Sequence, residues 1–261
     1  MNVSGLGTAL EYKSIIQKLM ISLYKKAARH AKCLFFQNSE NQAFFEEHRM
    51  YSGSQQLIPG SGVNLKRWHL MDYPDSINGV EFLFIARVIK EKGIEEYLAA
   101  AKQMKAEYPD TKFHVLGPCD GEYEDVLEEY EKNGVIQYHG MVQDTREFLK
   151  RAHCTIHPSY YPEGISNVLL ESAACGRPVI TTNRSGCRET VEDGVTGFVF
   201  EQKNRAALIR CVRKFMKMEN EKRRTMGIAG REKMAREFDR EIVVRAYMEE
   251  VKNGLQEFFI K

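Results

Sequence analysis

From residue 80 onward, short apolar runs alternate with longer amphipathic stretches. The runs are rich in β-branched and aromatic side chains and predict buried strands at 80–86, 112–116, 135–139, 154–157, 179–182 and 197–200. The stretches between them space their apolar residues as helices do. Strands that alternate with helices pair in parallel through right-handed crossovers, so the pattern predicts an α/β fold whose sheet is covered on both faces.

The pattern before residue 80 is less complete, and the pattern after residue 204 is entirely helical. In the first part we expect a loop over 1–10, a helix over 12–30, an apolar strand over 33–36, a helix to about 49 that Ser39 or Asn41 caps, and a strand over 56–59. Helices are expected at 206–218, 222–237 and 239–259. The apolar residues of the 12–30 helix form one stripe.

Residues 160–179 combine a loop, a helix and the start of a strand. Proline and glycine on either side of Glu163 place this residue in the loop. Apolar residues at helical spacing from Ile165 onward predict a helix of about three turns. Gly176 and Pro178 end that helix, because glycine suits a left-handed cap and proline cannot continue the helix.

Glu163 and Glu171 are eight residues apart in this segment. Along a helix that spacing corresponds to about 12 Å, which is too far for two carboxylates to share a proton. It suits the two ends of one long polar ligand whose phosphates lie at the positive end of the helix. The alternative interpretation is a surface helix with two solvated glutamates.

Basic residues follow the first strand of the alternating region. Arg87 and Lys92 lie at its carboxyl end, where ligands bind in sheets of this kind, and Gly93 follows them. Arginine and lysine together neutralise a diphosphate leaving group well. The alternative is that both are solvated loop cations, and we interpret Lys90 in that way.

The spacing of Glu163 and Glu171 matches the E-x7-E motif of retaining glycosyltransferases with the GT-B fold. The run that continues through Gly186, Glu189 and Gly197 resembles family 4 of that group, and the likeness covers most of residues 80–201. The resemblance implies a Rossmann-like donor-binding sheet followed by C-terminal helices. It implies a nucleotide-sugar donor with UDP as the family's usual nucleotide, a saccharide or lipid-linked acceptor, and no essential metal or other cofactor.

The resemblance also assigns roles to individual residues. Arg87 and Lys92 would bind the diphosphate, Glu163 would contact the donor sugar, and Glu171 would accept hydrogen bonds from the ribose. We therefore expect Glu163, Arg87 and Lys92 to be catalytic. The remaining donor-binding residues that the resemblance implies are Gly164, Ile165, Ser166, Asn167, Met141 and Val142. Simple helix capping by Ser166 and Asn167, and plain loop packing by the last two, remain open alternatives.

We expect four segments: a remnant of an acceptor-side domain at 1–65, a linker at 66–79, the donor-binding domain at 80–218, and helices at 219–261 that pack back on the first segment. About 65 residues are too few for a second Rossmann-like domain, and they resemble the last third of the family's acceptor domain. A nucleotide-sugar-binding module that is inactive alone is therefore an alternative function. An NAD enzyme is disfavoured because G-x-G-x-x-G is missing, and an epimerase because both paired motifs are present.

Composition narrows the class of protein further. A net charge of +2 gives no case for nucleic acid as a partner, and six scattered cysteines without a C-x2-C pair favour a reducing, cytoplasmic compartment over a zinc site. Basic residues crowd the end of the 12–30 helix at Lys25, Lys26, Arg29 and Lys32. They either stabilise the helix by interacting with the negative end of its dipole, or make peripheral contact with lipid headgroups at the inner membrane face. We expect His153 and His157 to be core residues and Cys187 to be a buried thiol.

Overall fold

A computed structural model of the protein describes residues 1–7, 10 and 13–259. The strands described form two parallel sheets. The smaller sheet has the order β1 (Asn2–Val3), β2 (Cys33–Phe36) and β3 (Ser54–Leu57). The larger sheet contains β4 (Glu81–Ile85), β5 (Lys112–Leu116), β6 (Gln137–Tyr138), β7 (Cys154–His157), β8 (Val179–Thr182) and β9 (Gly197–Phe200), in the order β6-β5-β4-β7-β8-β9.

Helices connect and cover these strands. In chain order they are α1 (Ile15–Ala28), α2 (Ser39–Glu47), α3 (Ile94–Glu107), α4 (Glu124–Lys132), α5 (Arg146–Arg151), α6 (Asn167–Ala174), α7 (Arg205–Met216), α8 (Asn220–Glu237) and α9 (Arg240–Phe259). The α/β class, the Rossmann-like parallel sheet and the C-terminal helices predicted from the sequence are therefore confirmed. In this strand order the direction of winding reverses between β4 and β7, which opens a crevice at their carboxyl ends.

Aromatic side chains fill the core on one face of the larger sheet. Phe82 on β4 is fully buried and lies beside Phe113 on β5, with ring centroids 4.9 Å apart. Phe215 from α7 meets Phe82 edge to face at 5.8 Å. Tyr97 from α3 donates its hydroxyl to the carbonyls of Phe82 and His114, so this buried phenol is hydrogen-bonded. The packing fixes β4 at the centre of the sheet and with it the crevice beside β7.

The first part of the chain departs from the sequence prediction in three places. Residues 2–3 form β1 and pair with β2, although a loop was predicted at 1–10; residues 8 and 9 of that loop lie outside the described residues, as does Tyr12 at the start of the helix predicted over 12–30. Asn38, and neither Ser39 nor Asn41, caps α2, because its Oδ1 accepts the backbone N–H of Asn41 at 2.9 Å. The strand predicted at 56–59 is β3, which begins earlier at Ser54.

The apolar stripe of α1 is largely exposed. Ile15 is 87% exposed, Ile16 61%, Leu19 59% and Leu23 51%. Ala28 and Tyr24 lie on the opposite side and pack with the core beneath β2. The helix therefore presents a ridge of large aliphatic side chains outward, next to the exposed Lys25 and Lys26. Among the described helices, none combines the length and hydrophobicity needed to cross a membrane.

Helix α9 packs on the smaller sheet. The rings of Phe35 and Tyr247 meet edge to face at 4.5 Å, and Val243 is buried in the same cluster. Gln56 on β3 donates to Glu250 at 2.6 Å. Farther along α9 the expected apolar face is exposed, as at Leu255. The segment boundaries at 65, 79 and 218 remain predictions.

Candidate active site

Two loops meet in the crevice between β4 and β7. The loop after β4 carries Lys92 in a short 3-10 turn, and the loop after β7 carries Glu163. The Lys92 ammonium lies 2.9 Å from the carboxylate of Glu163, although the two residues are 71 positions apart in sequence. The side chain of Lys92 is 11% exposed and that of Glu163 27% exposed, so solvent screens this ion pair only partly.

His157, at the end of β7, completes the surroundings of the Glu163 carboxylate. Its Nε2 lies 3.7 Å from Glu163 Oε1 and 3.2 Å from the Ser166 hydroxyl. Burial opposes ionisation of Glu163, but His157 and Lys92 more than offset it and lower the pKa of the carboxyl to about 2. Burial also lowers the pKa of His157, which favours a neutral imidazole. Glu163 is therefore a carboxylate across the physiological pH range.

Tyr161 brings the two predicted phosphate-binding cations together. The Arg87 guanidinium carbon lies 5.9 Å from the centre of this ring, and Lys92 Nζ lies 5.0 Å from it. Both distances are typical of cation–π contacts. Arg87 is otherwise exposed at the mouth of the crevice, and the exposed Lys90 lies 3.9 Å from Glu95, away from this group. The structure thus places Arg87 and Lys92 at one aromatic ring, with Glu163 paired to Lys92.

Helix α6 begins later than predicted and is shorter. Its first residue is Asn167 rather than Ile165, and its eight residues make about two turns instead of three. Two amides that precede the helix bond elsewhere in the protein. The Ile165 N–H donates to Gln37 Oε1 at 3.4 Å, and the Ser166 N–H donates to the Gly186 carbonyl at 2.9 Å. Of the four predicted ligand-facing amides, these two are already hydrogen-bonded within the protein.

The side chains at the start of α6 do not cap it. Ser166 occupies the N-cap position without a capping hydrogen bond, because its hydroxyl faces His157 instead. Asn167 is exposed, and its Oδ1 accepts the Ser61 hydroxyl at 2.7 Å, a contact that links the glycine-rich turn after β3 to α6. The capping alternative for both side chains is wrong for the described structure.

Glu171 lies farther along α6 in a different electrostatic environment. Burial raises the pKa of this carboxyl to about 7, while Arg67 and Arg240 act in the opposite direction. The same motif therefore holds one carboxyl with a pKa of about 2 and one with a pKa of about 7. A desolvated carboxylate gains most from hydroxyl donors, so Glu171 is suited to a ligand that supplies them.

The loop after β6 and the loop after β8 lie at the same edge of the sheet. Met141 is 79% exposed there, whereas Val142 packs partly against the second buried cluster of the domain. After β8, Glu189 accepts the Gly186 amide at 2.7 Å and the Ser185 hydroxyl at 3.1 Å, so its carboxylate shapes the loop. Gly186 has a φ of +91°, and a side chain there would overlap the carbonyl of Gly164.

The fold also brings together three side chains of types that bind metals, although their sequence spacing shows no metal motif. Donor atoms of His157, Glu163 and Cys187 all lie within 4.8 Å of one another. The group fits a metal ion poorly. Burial raises the pKa of the Cys187 thiol to about 12, and the Lys92 ammonium already pairs with the carboxylate. The prediction that no essential metal is needed remains a prediction.

Sequence reasoning missed side chains that reach Glu163 or its loop only because the chain is folded. His157 was interpreted as a core histidine, and it is 2% exposed, yet its Nε2 faces Glu163. Tyr161 was not singled out, although it lies within the central segment. Gln37 and Asn38 come from the smaller sheet and touch the backbone of the Glu163 loop. Only their position at the end of an apolar strand could have signalled them.

The family of the chain follows from comparison with known proteins. Residues 78–233 match the family model described as glycosyl transferases group 1. This match covers more than half of the sequence, so the chain belongs to the group 1 family of glycosyltransferases.

Curated relatives of the chain are named glycosyltransferases. The N,N'-diacetylbacillosaminyl-diphospho-undecaprenol alpha-1,3-N-acetylgalactosaminyltransferase of Campylobacter jejuni is 26% identical over 262 residues, which cover 94% of this chain and 68% of that protein. The capsular polysaccharide biosynthesis glycosyltransferase CapM of Staphylococcus aureus is 30% identical over 165 residues, or 61% of this chain and 42% of that protein. The chain thus spans about two thirds of the first relative, and the match to the second covers less than half of it.

Solved structures share the GT-B architecture with this chain. Sucrose-phosphate synthase from Thermosynechococcus elongatus superimposes with a TM-score of 0.79 at 23% identity, over 98% of this chain and 67% of that one. Anabaena Alr3699/HepE, solved in complex with UDP-glucose, gives a TM-score of 0.81 at 17% identity, over 97% and 71% of the two chains. At sequence identities of 23% and 17%, this structural similarity shows the fold alone.

The raised pKa of Glu171 predicts a pH dependence of stability. Ionising this carboxyl costs more in the folded chain than in the unfolded chain, so stability falls as pH rises from about 4.5 to about 7. We expect Glu171→Gln to remove this loss. The variant should exceed the wild type at pH 8 by on the order of 2 kcal/mol in free energy of unfolding, and should match it near pH 4.5. Urea unfolding at pH 4.5, 6, 7 and 8 measures the difference.

Glu163→Gln serves as the matched control, because its effect should have the opposite sign. The lowered pKa of Glu163 stabilises the fold above about pH 4.5 and loses that contribution as pH falls toward 2. This variant should therefore be less stable than the wild type at pH 8. Parallel stability curves for the wild type and Glu171→Gln across pH 4.5–8 would show that Glu171 is not desolvated as described.

Proposed function

We propose that the chain carries the donor site of a retaining glycosyltransferase that transfers a sugar from a UDP-linked donor to a saccharide or lipid-linked acceptor. The observation that carries the proposal lies at the carboxyl ends of β4 and β7, where Lys92 pairs with Glu163 and both Lys92 and Arg87 face the Tyr161 ring. The names of the relatives support polysaccharide and glycolipid acceptors. The UDP and UDP-glucose named for Alr3699/HepE support the nucleotide.

In this proposal the two cations act on the diphosphate. Arg87 is free to turn from the mouth of the crevice and offers a bidentate fork, and Lys92 offers a point charge. Charge accumulates on the diphosphate as its bond to the sugar breaks, so both cations stabilise the transition state more than the bound donor. The proposed backbone contacts to sugar and phosphate are the amides of Gly164 and Asn167, since those of Ile165 and Ser166 are used within the protein.

The two glutamates bind opposite ends of the donor. Glu163, held ionised by Lys92, accepts hydrogen bonds from sugar hydroxyls, and Glu171 accepts them from the ribose. Met141 offers an exposed thioether to the base, with Val142 behind it. Neither glutamate need be a nucleophile, because the leaving phosphate can take the proton of the acceptor hydroxyl on the same face of the sugar. No metal is required for any of these roles.

A nucleotide-sugar-binding module that needs a further domain for turnover is the second candidate. The observation that favours it is the smaller sheet, which has three strands of two to four residues among the described residues. Hydrolysis of free UDP-sugar by the isolated chain would favour the enzyme over the module. Both candidates share the donor site, so the binding predictions below apply to both.

We further propose that the α1 ridge rests on an anionic lipid surface on the cytoplasmic side of a membrane. Four large aliphatic side chains are exposed there, and basic residues adjoin them at the end of the helix. Burial of one such side chain contributes about 1.5–3 kcal/mol, and a basic residue near anionic lipid contributes about 1 kcal/mol. This surface would bring the donor site close to a lipid-linked acceptor.

Nucleotide binding tests the donor site directly. We expect UDP at millimolar concentration to raise the melting temperature of the chain more than GDP or ADP does. A nucleotide at 100 times its Kd stabilises the fold by about 2.7 kcal/mol. Glu171→Ala should weaken the UDP effect by roughly tenfold in Kd, because a hydrogen-bonded carboxylate is lost. Glu128→Ala, an exposed glutamate on α4, is the control and should behave as the wild type. Equal shifts with all three nucleotides would contradict the proposed base.

Glu163→Ala should separate sugar recognition from nucleotide binding. We expect the Kd for UDP to stay within about threefold of the wild type, whereas UDP-sugar hydrolysis or transfer falls roughly a hundredfold, because the lost contacts include a charged hydrogen bond. Initial rates and isothermal titration measure the two effects. An unchanged rate would remove Glu163 from the catalytic set.

Vesicle sedimentation tests the membrane surface. We expect the chain to sediment with vesicles of phosphatidylcholine containing 30% phosphatidylglycerol, and less so at high salt, because headgroup attraction is screened. Leu19→Glu should reduce the bound fraction at least tenfold. Ile77→Glu, at an even more exposed apolar residue outside α1, should not. If Leu19→Glu instead changes only the oligomeric state of the chain, the ridge contacts protein.

A further inference from the structure

The backbone of the Glu163 loop is held from the opposite side to its carboxylate. Lys92 and His157 fix the carboxylate from the larger sheet. Asn38 and Gln37, directly after β2 in the smaller sheet, contact the main chain of Glu163 and Ile165. We propose that Asn38 and Gln37 are positioning residues for the sugar-binding carboxylate of Glu163, an inference that rests on the function proposed for that residue.

Asn38 makes the stronger of the two contacts. Its Nδ2 donates to the Glu163 carbonyl at 3.2 Å while its Oδ1 accepts the Asn41 amide at 2.9 Å. The residue is 3% exposed. Because the oxygen is committed to the cap of α2, the amino group can point in only one direction. A helix cap on the acceptor side thus orients a hydrogen bond to the donor loop.

Gln37 makes the second contact and fits against a glycine. Its Oε1 accepts the Ile165 amide at 3.4 Å, and the side chain is buried. A side chain at position 164 would overlap both Gln37 Oε1 and the carbonyl of Ser4. Gly164 therefore allows the end of β2 and the segment after β1 to reach the donor loop. The approach is a close fit between the two sheets rather than a chance surface contact.

The loop between β7 and α6 depends on such outside contacts. Residues 158–166 form no helix or strand, so their shape is set by what they touch. A binding carboxylate must be held within roughly 0.5 Å of its working position, and about 1 Å of misplacement can cost a hundredfold in rate. The carbonyl of Glu163 is held from one sheet and its carboxylate from the other. Sugar recognition therefore depends on the relative position of the two sheets.

Variants can remove the positioning contacts while keeping the local structure. Asn38→Ser keeps an oxygen that caps α2 but loses the amino group that reaches Glu163. Gln37→Met keeps the length and shape of the side chain but removes the acceptor. Asn38→Ala loses the cap as well. The difference in melting temperature between Asn38→Ala and Asn38→Ser therefore reports the cost of losing the cap alone.

The readout is the preference for a UDP-sugar over UDP, measured by calorimetry with UDP, UDP-glucose, UDP-galactose, UDP-GlcNAc and UDP-GalNAc. We expect Asn38→Ser and Gln37→Met to leave the Kd for UDP within about twofold and to reduce the preference for the best-bound sugar by roughly tenfold. In the Glu163→Ala background the same substitutions should have no further effect, because they act through Glu163. A purely structural role would lower the melting temperature without this non-additivity.

The outcomes separate this inference from the proposed function. If Glu163→Ala itself leaves the preference unchanged, or if no UDP-sugar binds differently from UDP, Glu163 does not contact the sugar and both proposals are wrong. If Glu163→Ala reduces the preference while Asn38→Ser and Gln37→Met do not, only the positioning inference is wrong. Additive effects with Glu163→Ala would also overturn the inference.

Discussion

The strand order of the larger sheet is the constraint on which the candidate site depends. Right-handed crossovers wind from β4 to β6 in one direction and from β7 to β9 in the other, so the loops after β4 and β7 have no helix between them. That gap lets Lys92 reach Glu163 and lets one tyrosine ring face two cations. The proposed contacts of Arg87, Lys92 and Glu163 all depend on this crevice.

Sequence reasoning was strongest where a single period or spacing carried the information. The alternation of strands and helices after residue 80 gave the sheet, and the placement of Arg87, Lys92 and Glu163 on loops after strands was enough to expect them at one edge. It failed where long-range contacts decide. The Ile165 and Ser166 amides before α6 bond to Gln37 and Gly186, and the stripe of α1 is exposed because its other face packs on β2. His157 looked like a core residue because burial and function coincide there.

The two glutamates of the motif ionise differently because their environments differ. Glu163 has its countercharge built into the protein, so its carboxylate is stable without a ligand. Glu171 is desolvated beside more distant arginines, so its carboxylate is costly until hydroxyl groups approach it. The motif therefore has one carboxyl that is ionised without a ligand and one whose ionisation is favoured by a ligand that donates hydrogen bonds. Such an arrangement favours a ligand that spans both.

The glycine contacts around the Glu163 loop have a consequence for engineering. Gly164 lies against Gln37 and Ser4, and Gly186 lies against the carbonyl of Gly164, so four chain segments share one space with no room for a methyl group. Libraries aimed at a changed ligand would vary residues beside the Glu163 carboxylate. Here such libraries should spare both glycines, because a side chain at Gly164 would overlap Gln37 and Ser4 beside the smaller sheet, and one at Gly186 would overlap the Glu163 loop itself.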